Sequence, residues 1–318
     1  MSVASSATRT NGSVASAGLN LGTFSAVFRQ RRADYAELCR PRIALMTMVS
    51  VAVGFTLASP IIFSGVKLCI ALIGVTQLVA ASSMLNQWLE RNTDARMQRT
   101  LNRPLAAGRI SHLEITLVAA VLTVSGFAML WQWVNLPTAI ATLSTLVTYV
   151  AGYTLLKTRT SLCTTIGAIP GAMPPVLGWL AAGGHVGVEA LALFALFFVW
   201  QFPHFLSIGW IHRSDYEKAG LRMLPSFRDN GLRTGIIALV YAIAFVPISL
   251  LPAALGMTGD IYFAAAAVMS SLYLIYTARF TIHRTDQRAR KLLYNSLLCL
   301  PLLLVALVVD FLRLTAMS

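Results

Sequence analysis

Long apolar runs alternate with short polar breaks along the chain, and the runs have the length of membrane crossings. An α-helix rises about 1.5 Å per residue, so about 20 apolar residues cross a bilayer core. Such runs fall at 43–63, 67–87, 112–134, 137–156, 162–182, 188–211, 235–255, 260–281 and 293–314. The pattern predicts an all-α polytopic membrane protein with nine transmembrane helices. Turn residues mark the breaks: Ser59-Pro60, Asn135-Leu136-Pro137, Gly183-Gly184, and Gly256 followed by Gly259-Asp260. The fifth run contains GAIPGAMPPVLGW, and its Gly and Pro residues predict a kink.

The polar breaks are unequal. Nearly all Lys and Arg fall in the N-terminal segment or after the second, fourth, sixth and eighth runs, with only Lys67 and Arg313 towards the other side. This asymmetry predicts a cytoplasmic N-terminus, and an odd number of crossings then puts the C-terminus outside. The two longest breaks, 88–111 and 212–234, share the basic side and lie four spans apart, which hints at two similar halves. Residues 1–33 are rich in Ser, Ala and Gly and lack the apolar core of a secretory signal. They read as a cytoplasmic tail, with a mitochondrial-type presequence as the alternative. The membrane domain is expected over 34–318, with Phe28 to Arg42 as a surface helix whose arginines meet headgroups.

Composition sharpens this picture. Hydrophobic residues make up 57% of the 318 and charged ones 12%, which excludes an ordinary soluble globule. A net charge of +13 would suggest nucleic acid in a soluble protein. Here the charge sits between spans, so membrane headgroups or anionic substrates are expected and nucleic acid is not. Cys39, Cys69, Cys163 and Cys299 are far apart and form no CxxC or zinc spacing, so neither a disulfide nor a structural metal is expected.

One stretch departs from the general avoidance of charge. NQWLERNTDARMQRTLNRPL places Glu90, Asp94, Arg91, Arg96, Arg99 and Arg103 within fourteen residues at the end of the second span. Ionised groups beside a bilayer core are costly, so the cluster is a candidate site. Asn86, Glu90 and Asp94 at i, i+4 and i+8 share one helix face. Their oxygens suit Mg²⁺, and the Arg99 and Arg103 guanidinium forks match phosphate oxygens. The plain alternative is a solvated loop whose acids pair with its own arginines.

The pattern N-x-x-x-E-x-x-T-D-x-x-M-x-R-T-x-x-R, from Asn86 to Arg103, resembles the first motif of the UbiA family of intramembrane prenyltransferases. That resemblance implies nine helices around a central cavity open to the cytoplasm. It implies Mg²⁺ held on a prenyl diphosphate by Asn86, Glu90 and Asp94, with Arg99 and Arg103 on the diphosphate. Three further stretches, Tyr153–Trp179, WQFPHF and DYEKAGLRMLP, look like the protohaem IX farnesyltransferase branch of that family. The likeness covers about residues 35–310.

By that analogy Tyr153, Lys157 and Arg159 reach the diphosphate, and Tyr153 and Lys157 stand one helical turn apart. His204 has two readings: a satisfied interior residue, or a haem contact through iron or a propionate. Trp200, Phe202 and Phe205 could pack on a porphyrin or on neighbouring helices. Many UbiA relatives carry D-x-x-x-D in the second long loop, but here Ala219 stands four residues after Asp215. A second metal of the usual type is therefore in doubt. Asp215 is the best second acid, and Tyr216, Lys218 and Arg222 are the nearby substrate-binding candidates. Asp310 is expected to be interfacial or to pair with Arg313, outside the site.

The resemblance implies farnesyl transfer from farnesyl diphosphate to a vinyl group of haem b, giving haem O and diphosphate, in a bacterial inner membrane or, alternatively, a mitochondrial one. An enzyme converting haem O to haem A, or a haem-copper oxidase, would be the expected partner. Two other readings stay open: a UbiA-type prenyltransferase with an aromatic or quinone-precursor acceptor, and a transporter of an anionic lipid or porphyrin.

Overall fold

The computed structural model describes residues 21–59, 63–154, 163–218, 220 and 231–317. These residues form α1 (Leu21–Cys39), α2 (Pro41–Leu57), α3 (Gly65–Asp94), α4 (His112–Trp133), α5 (Leu136–Val147) and a π-helix (Thr148–Tyr153). There follow α6 (Cys163–Ala182), α7 (Val188–Ile211), a short α8 (Arg213–Lys218), α9 (Leu232–Ala254), α10 (Asp260–His283) and α11 (Asp286–Met317). No strand occurs among the described residues.

Helices occupy all nine expected runs. Among the described residues, seven are long and apolar enough to cross a bilayer, and α1 with α2 counts as an eighth crossing bent by 48°. The count falls short of nine at residues 136–153, where a 12-residue α5 gives way to the six-residue π-helix. Helix α1 already begins at Leu21, so the expected tail boundary falls inside a helix. The expected surface helix ends at Cys39, because Arg40 adopts a left-handed φ of 48° and Pro41 restarts the helix at its first position. The expected kink in the fifth span is not a break. Helix α6 runs unbroken through Pro170, Pro174 and Pro175, while Gln201 of α7 donates Nε2 to the Ala168 carbonyl.

Local chemistry sets the helix ends. Ser111 accepts a hydrogen bond from the Glu114 amide at 3.1 Å to start α4. Asn135 starts α5 by accepting from the Thr138 amide at 2.8 Å, and its Nδ2 reaches across to the Leu180 carbonyl. Asp310 is fully buried on α11, and its Oδ2 accepts from the Gly259 and Tyr262 amides at the start of α10. It thus caps a neighbouring helix as well as lying 3.3 Å from Arg313 Nε.

Buried side chains form two main clusters. One joins α2, α6, α7, α9, α10 and α11, with Tyr262, Tyr273, Phe245 and Phe280 at its centre. The other joins α1 through α6, with Leu78, Met84, Leu130 and Leu177. Helices α2 and α6 contribute to both. They approach backbone to backbone: a Cβ at Gly54 would lie 1.9 Å from the Pro175 carbonyl oxygen, and one at Gly178 would lie 1.9 Å from that of Val51. The candidate site lies at the basic end, where α3 emerges from the second cluster.

Candidate active site

Helix α3 turns one polar face inward as it leaves the apolar core. Asn86, Glu90 and Asp94 are 1%, 7% and 1% exposed, so the i, i+4, i+8 face read from the sequence is buried. The segment after Asp94 folds back through short turns. Met97 donates its amide to the Asp94 carbonyl, Thr100 to that of Met97, and Arg103 to that of Thr100. Buried Met97, Leu105 and Ile110 anchor the segment, and the Thr100 hydroxyl bonds the Asp94 carbonyl at 2.9 Å.

This fold-back returns Arg103 to the acids. Its Nη1 donates to Asp94 Oδ2 at 2.7 Å and stands 3.9 Å from Glu90 Oε2. The second distance exceeds a hydrogen bond, so Glu90 feels the charge without being bonded by it. Acids do pair with an arginine of their own loop, but in a buried setting rather than a solvated one. Asp94 Oδ1 is buried with no hydrogen-bond partner among the described residues. An orphaned carboxylate oxygen in the interior is a position that calls for an ion or a donor. Among the described residues, no three His, Cys, Asp or Glu side chains gather closely enough to hold a metal. A cation here would rest on two carboxylates, the Asn86 amide and oxygens of a ligand, a donor set that fits Mg²⁺.

The π-helix supplies the opposite wall. Thr154 follows it directly, and its hydroxyl reaches Asn86 Oδ1 at 2.9 Å and the Tyr149 carbonyl at 3.0 Å. Tyr149 and Tyr153 stack at 5.5 Å. Tyr153 fits because position 167 is glycine: a Cβ there would lie 2.5 Å from the Tyr153 ring. Tyr149 lies within the field of Arg40, Glu90 and Arg103. π-Helical turns are a common device for placing side chains at a site.

The third wall is the segment after α7. Burial pushes the Tyr216 hydroxyl above its ordinary range; Arg99 and Arg103 oppose the shift, and Glu90 and Asp215 add to it. Burial likewise holds the His212 imidazole below its ordinary range, helped by Arg99 and Arg290 and opposed by Asp215. Tyr216 thus lies within the field of Arg99, Glu90, Arg103 and Asp215, and His212 within that of Arg99, Asp215 and Arg290. Lys218 ends α8 as an exposed residue. Lys157, Arg159 and Arg222 lie outside the described residues. Arg40, Tyr149 and Thr154 escaped the sequence reading. A lone Thr in an apolar helix normally bonds its own preceding turn, so nothing in the sequence marks Thr154.

His204 sits deeper, two turns before His212, or about 12 Å along α7. It is buried, stacked on Trp200 at 4.8 Å, and its Nδ1 lies 2.7 Å from Ser296 Oγ on α11. Ser296 donates its own hydroxyl proton to the Leu293 carbonyl at 2.6 Å. With that proton on the Leu293 carbonyl, Nδ1 is the donor in the His–Ser bond and Nε2 carries a lone pair; with the hydroxyl turned to Nδ1, the tautomer is reversed. Phe202 stacks on Tyr241 at 3.6 Å and so packs between helices, whereas Phe205 is exposed.

Residues 47–305 match the model of the UbiA prenyltransferase family. A relative from Solibacter usitatus named protoheme IX farnesyltransferase is 39% identical over 286 residues, spanning 87% of this chain and 98% of that one. One of the same name from Koribacter versatilis is 41% identical over 289 residues, spanning 87% and 93%. The fold is similar to that of a digeranylgeranylglyceryl phosphate synthase, with a TM-score of 0.76 at 17% identity, covering 89% of this chain and 99% of that one. It is also similar to a UbiA homologue from Archaeoglobus fulgidus bound to GPP and Mg²⁺, with a TM-score of 0.61 at 21% identity, covering 86% and 99%. The chain belongs to the UbiA prenyltransferase family, within its protohaem IX farnesyltransferase branch.

Proposed function

We propose that this chain transfers a farnesyl group from farnesyl diphosphate to a vinyl group of haem b, releasing haem O and diphosphate. The observation that carries the donor half is the buried Asn86–Glu90–Asp94 face closed by Arg103. Such a face is costly to keep beside a bilayer unless it takes a cation and a polyanion. The acceptor half rests on the named relatives and on His204.

Asn86, Glu90 and Asp94 would hold Mg²⁺, with Asp215 as a further candidate ligand. When bound, the ion would supply positive charge that stabilises the leaving diphosphate. Arg99, Arg103 and Lys157 bind and orient the diphosphate, with Tyr153, Arg159, Tyr216, Lys218 and Arg222 as further substrate-binding candidates. The fixed cations favour the charge that develops as the C1–O bond breaks and its electron pair leaves with the diphosphate. The terminal vinyl carbon forms a bond to farnesyl C1. The cation left on the inner vinyl carbon is stabilised by the porphyrin, takes oxygen from water and loses a proton, giving the hydroxyethylfarnesyl side chain. The apolar helices keep water from the first cation. His204 is the haem contact: in the tautomer that donates Nδ1–H to Ser296, Nε2 is left to meet the haem, and Ser296 holds the ring as a second partner holds a metal-ligating imidazole. The basic end faces the cytoplasm of a bacterial inner membrane, where haem A synthase or a haem-copper oxidase can take up the product.

Mass analysis of haems in a haem O-deficient cell tests the reading. Expression of this chain should restore haem O, and Glu90→Gln should abolish it at equal protein level. Haem O formation undiminished by Glu90→Gln refutes the metal assignment. A different prenylated product from the wild type refutes the acceptor.

A further inference from the structure

The loop that carries Arg99 and Arg103 is tied to α1, an element with no part in the chemistry above. Asp34 of α1 is 2% exposed. Its Oδ1 accepts from Arg109 Nε at 3.0 Å and from Gln30 Nε2 at 3.1 Å, with Arg109 Nη2 at 2.9 Å. The same Nη2 also donates to the Asn102 carbonyl at 2.9 Å. Asn102 is the residue before Arg103. One guanidinium therefore joins the buried carboxylate of α1 to the backbone next to the arginine that neutralises Asp94. A second tie runs to α3: Gln87, 1% exposed and next to Asn86, donates Nε2 to the Leu38 carbonyl at 3.1 Å.

We infer that Asp34 and Arg109 are positioning residues: through the Asn102 carbonyl they hold the loop so that Arg103 and Arg99 face a prenyl diphosphate. This deepens the reading above and rests on it for the identity of the ligand. A fork donating to a carboxylate and a carbonyl at once fixes direction as well as distance, which a lysine cannot do. Loop residues held through one buried carboxylate and its guanidinium lose their shared geometry when either partner goes, so the two single losses should not add.

A different α1 contact provides the control. Arg31 Nη1 at 3.0 Å and the Tyr35 hydroxyl at 2.7 Å both meet Glu114 Oε1 and tie α1 to the start of α4 without touching the Arg103 loop, so Arg31→Ala loosens this tie. If α1 served only to stabilise the fold, cutting either tie would act alike.

The test compares Asp34→Ala, Arg109→Gln, the double variant and Arg31→Ala in the full chain in lipid nanodiscs. Calorimetry with inorganic pyrophosphate and Mg²⁺ reads binding without turnover, and steady-state assays give KM for farnesyl diphosphate and for haem b. Asp34→Ala and Arg109→Gln should each weaken pyrophosphate binding and raise the farnesyl diphosphate KM about tenfold. The double variant should be no worse than either, the haem KM should stay constant, and Arg31→Ala should match the wild type. Wild-type pyrophosphate affinity in folded Asp34→Ala, additive losses, or equal changes in both KM values would overturn the inference. If Asp34→Ala does not accumulate as folded protein, the near-isosteric Asp34→Asn carries the same expectation. Wild-type protein that binds pyrophosphate but makes no haem O defeats the farnesyl-transfer reading and leaves the positioning test standing.

Discussion

Arg103→Ala separates the two jobs of that arginine. In the resting protein it neutralises Asp94, a carboxylate that is 1% exposed, across 2.7 Å. Removing one partner of a buried ion pair leaves the other charge uncompensated, at a cost of about 3–5 kcal/mol. Arg103 keeps 16% of its side chain exposed, which admits some water, so about 3 kcal/mol is the better figure. At roughly 2 °C per kcal/mol for a chain of this size, the melting midpoint should fall by about 6 °C. The perturbation is electrostatic, so a cation placed on Asp94 should reverse it. In detergent-solubilised protein followed by thermal melting, Mg²⁺ with pyrophosphate should restore most of the lost stability in Arg103→Ala and add less to the wild type. A melting point unchanged by the substitution would refute the assigned burial cost. A fall that the metal and anion leave untouched would show that the loss is packing and not charge.

Gly167→Ala puts a methyl 2.5 Å from the Tyr153 ring, so the Tyr149–Tyr153 stack must shift. Overpacking of this kind costs about 1–3 kcal/mol, and a loss of about tenfold in kcat/KM is expected; full activity would place Tyr153 outside the site. His204→Ala should change the optical spectrum of bound haem b, and an identical spectrum and affinity would remove His204 from the acceptor pocket. His212 is held below its ordinary pKa of 6.5, chiefly by burial and then by Arg99. The unfolded chain therefore takes up the proton first, so the contribution to stability is complete above pH 6.5 and is lost as pH falls below it. His212→Gln should flatten that acid-side loss in melting experiments, and an unaltered pH profile would contradict the assigned shift.

The polar face of α3 was legible in the sequence because helical periodicity alone puts Asn86, Glu90 and Asp94 together. Their burial was not, since it depends on how the following loop closes. The return of Arg103 to Asp94 needs a string of short turns anchored by Met97, Thr100 and Leu105, and no spacing rule encodes that path. Thr154, Tyr149 and Arg40 stayed hidden for a related reason: each meets the site from an element remote in sequence. The Asp34–Arg109 pair spans 75 positions and leaves no local signal. Hydropathy located each apolar run well, but it could not see that 136–153 changes helix type midway. The three prolines of α6 predicted a kink, and the helix runs on through them, with Gln201 of α7 bonding the Ala168 carbonyl.

Gly54 and Gly178 carry a consequence for how the molecule can admit two large, greasy substrates. Where α2 and α6 meet, main chain rests on main chain, and the same two helices take part in both main clusters of buried side chains. This seam works as a spine. Nothing along it can slide or swell without parting backbone atoms already at contact distance. Breathing that lets a prenyl tail or a porphyrin enter from the bilayer then falls to the helices away from this seam, with the spine as its fixed edge.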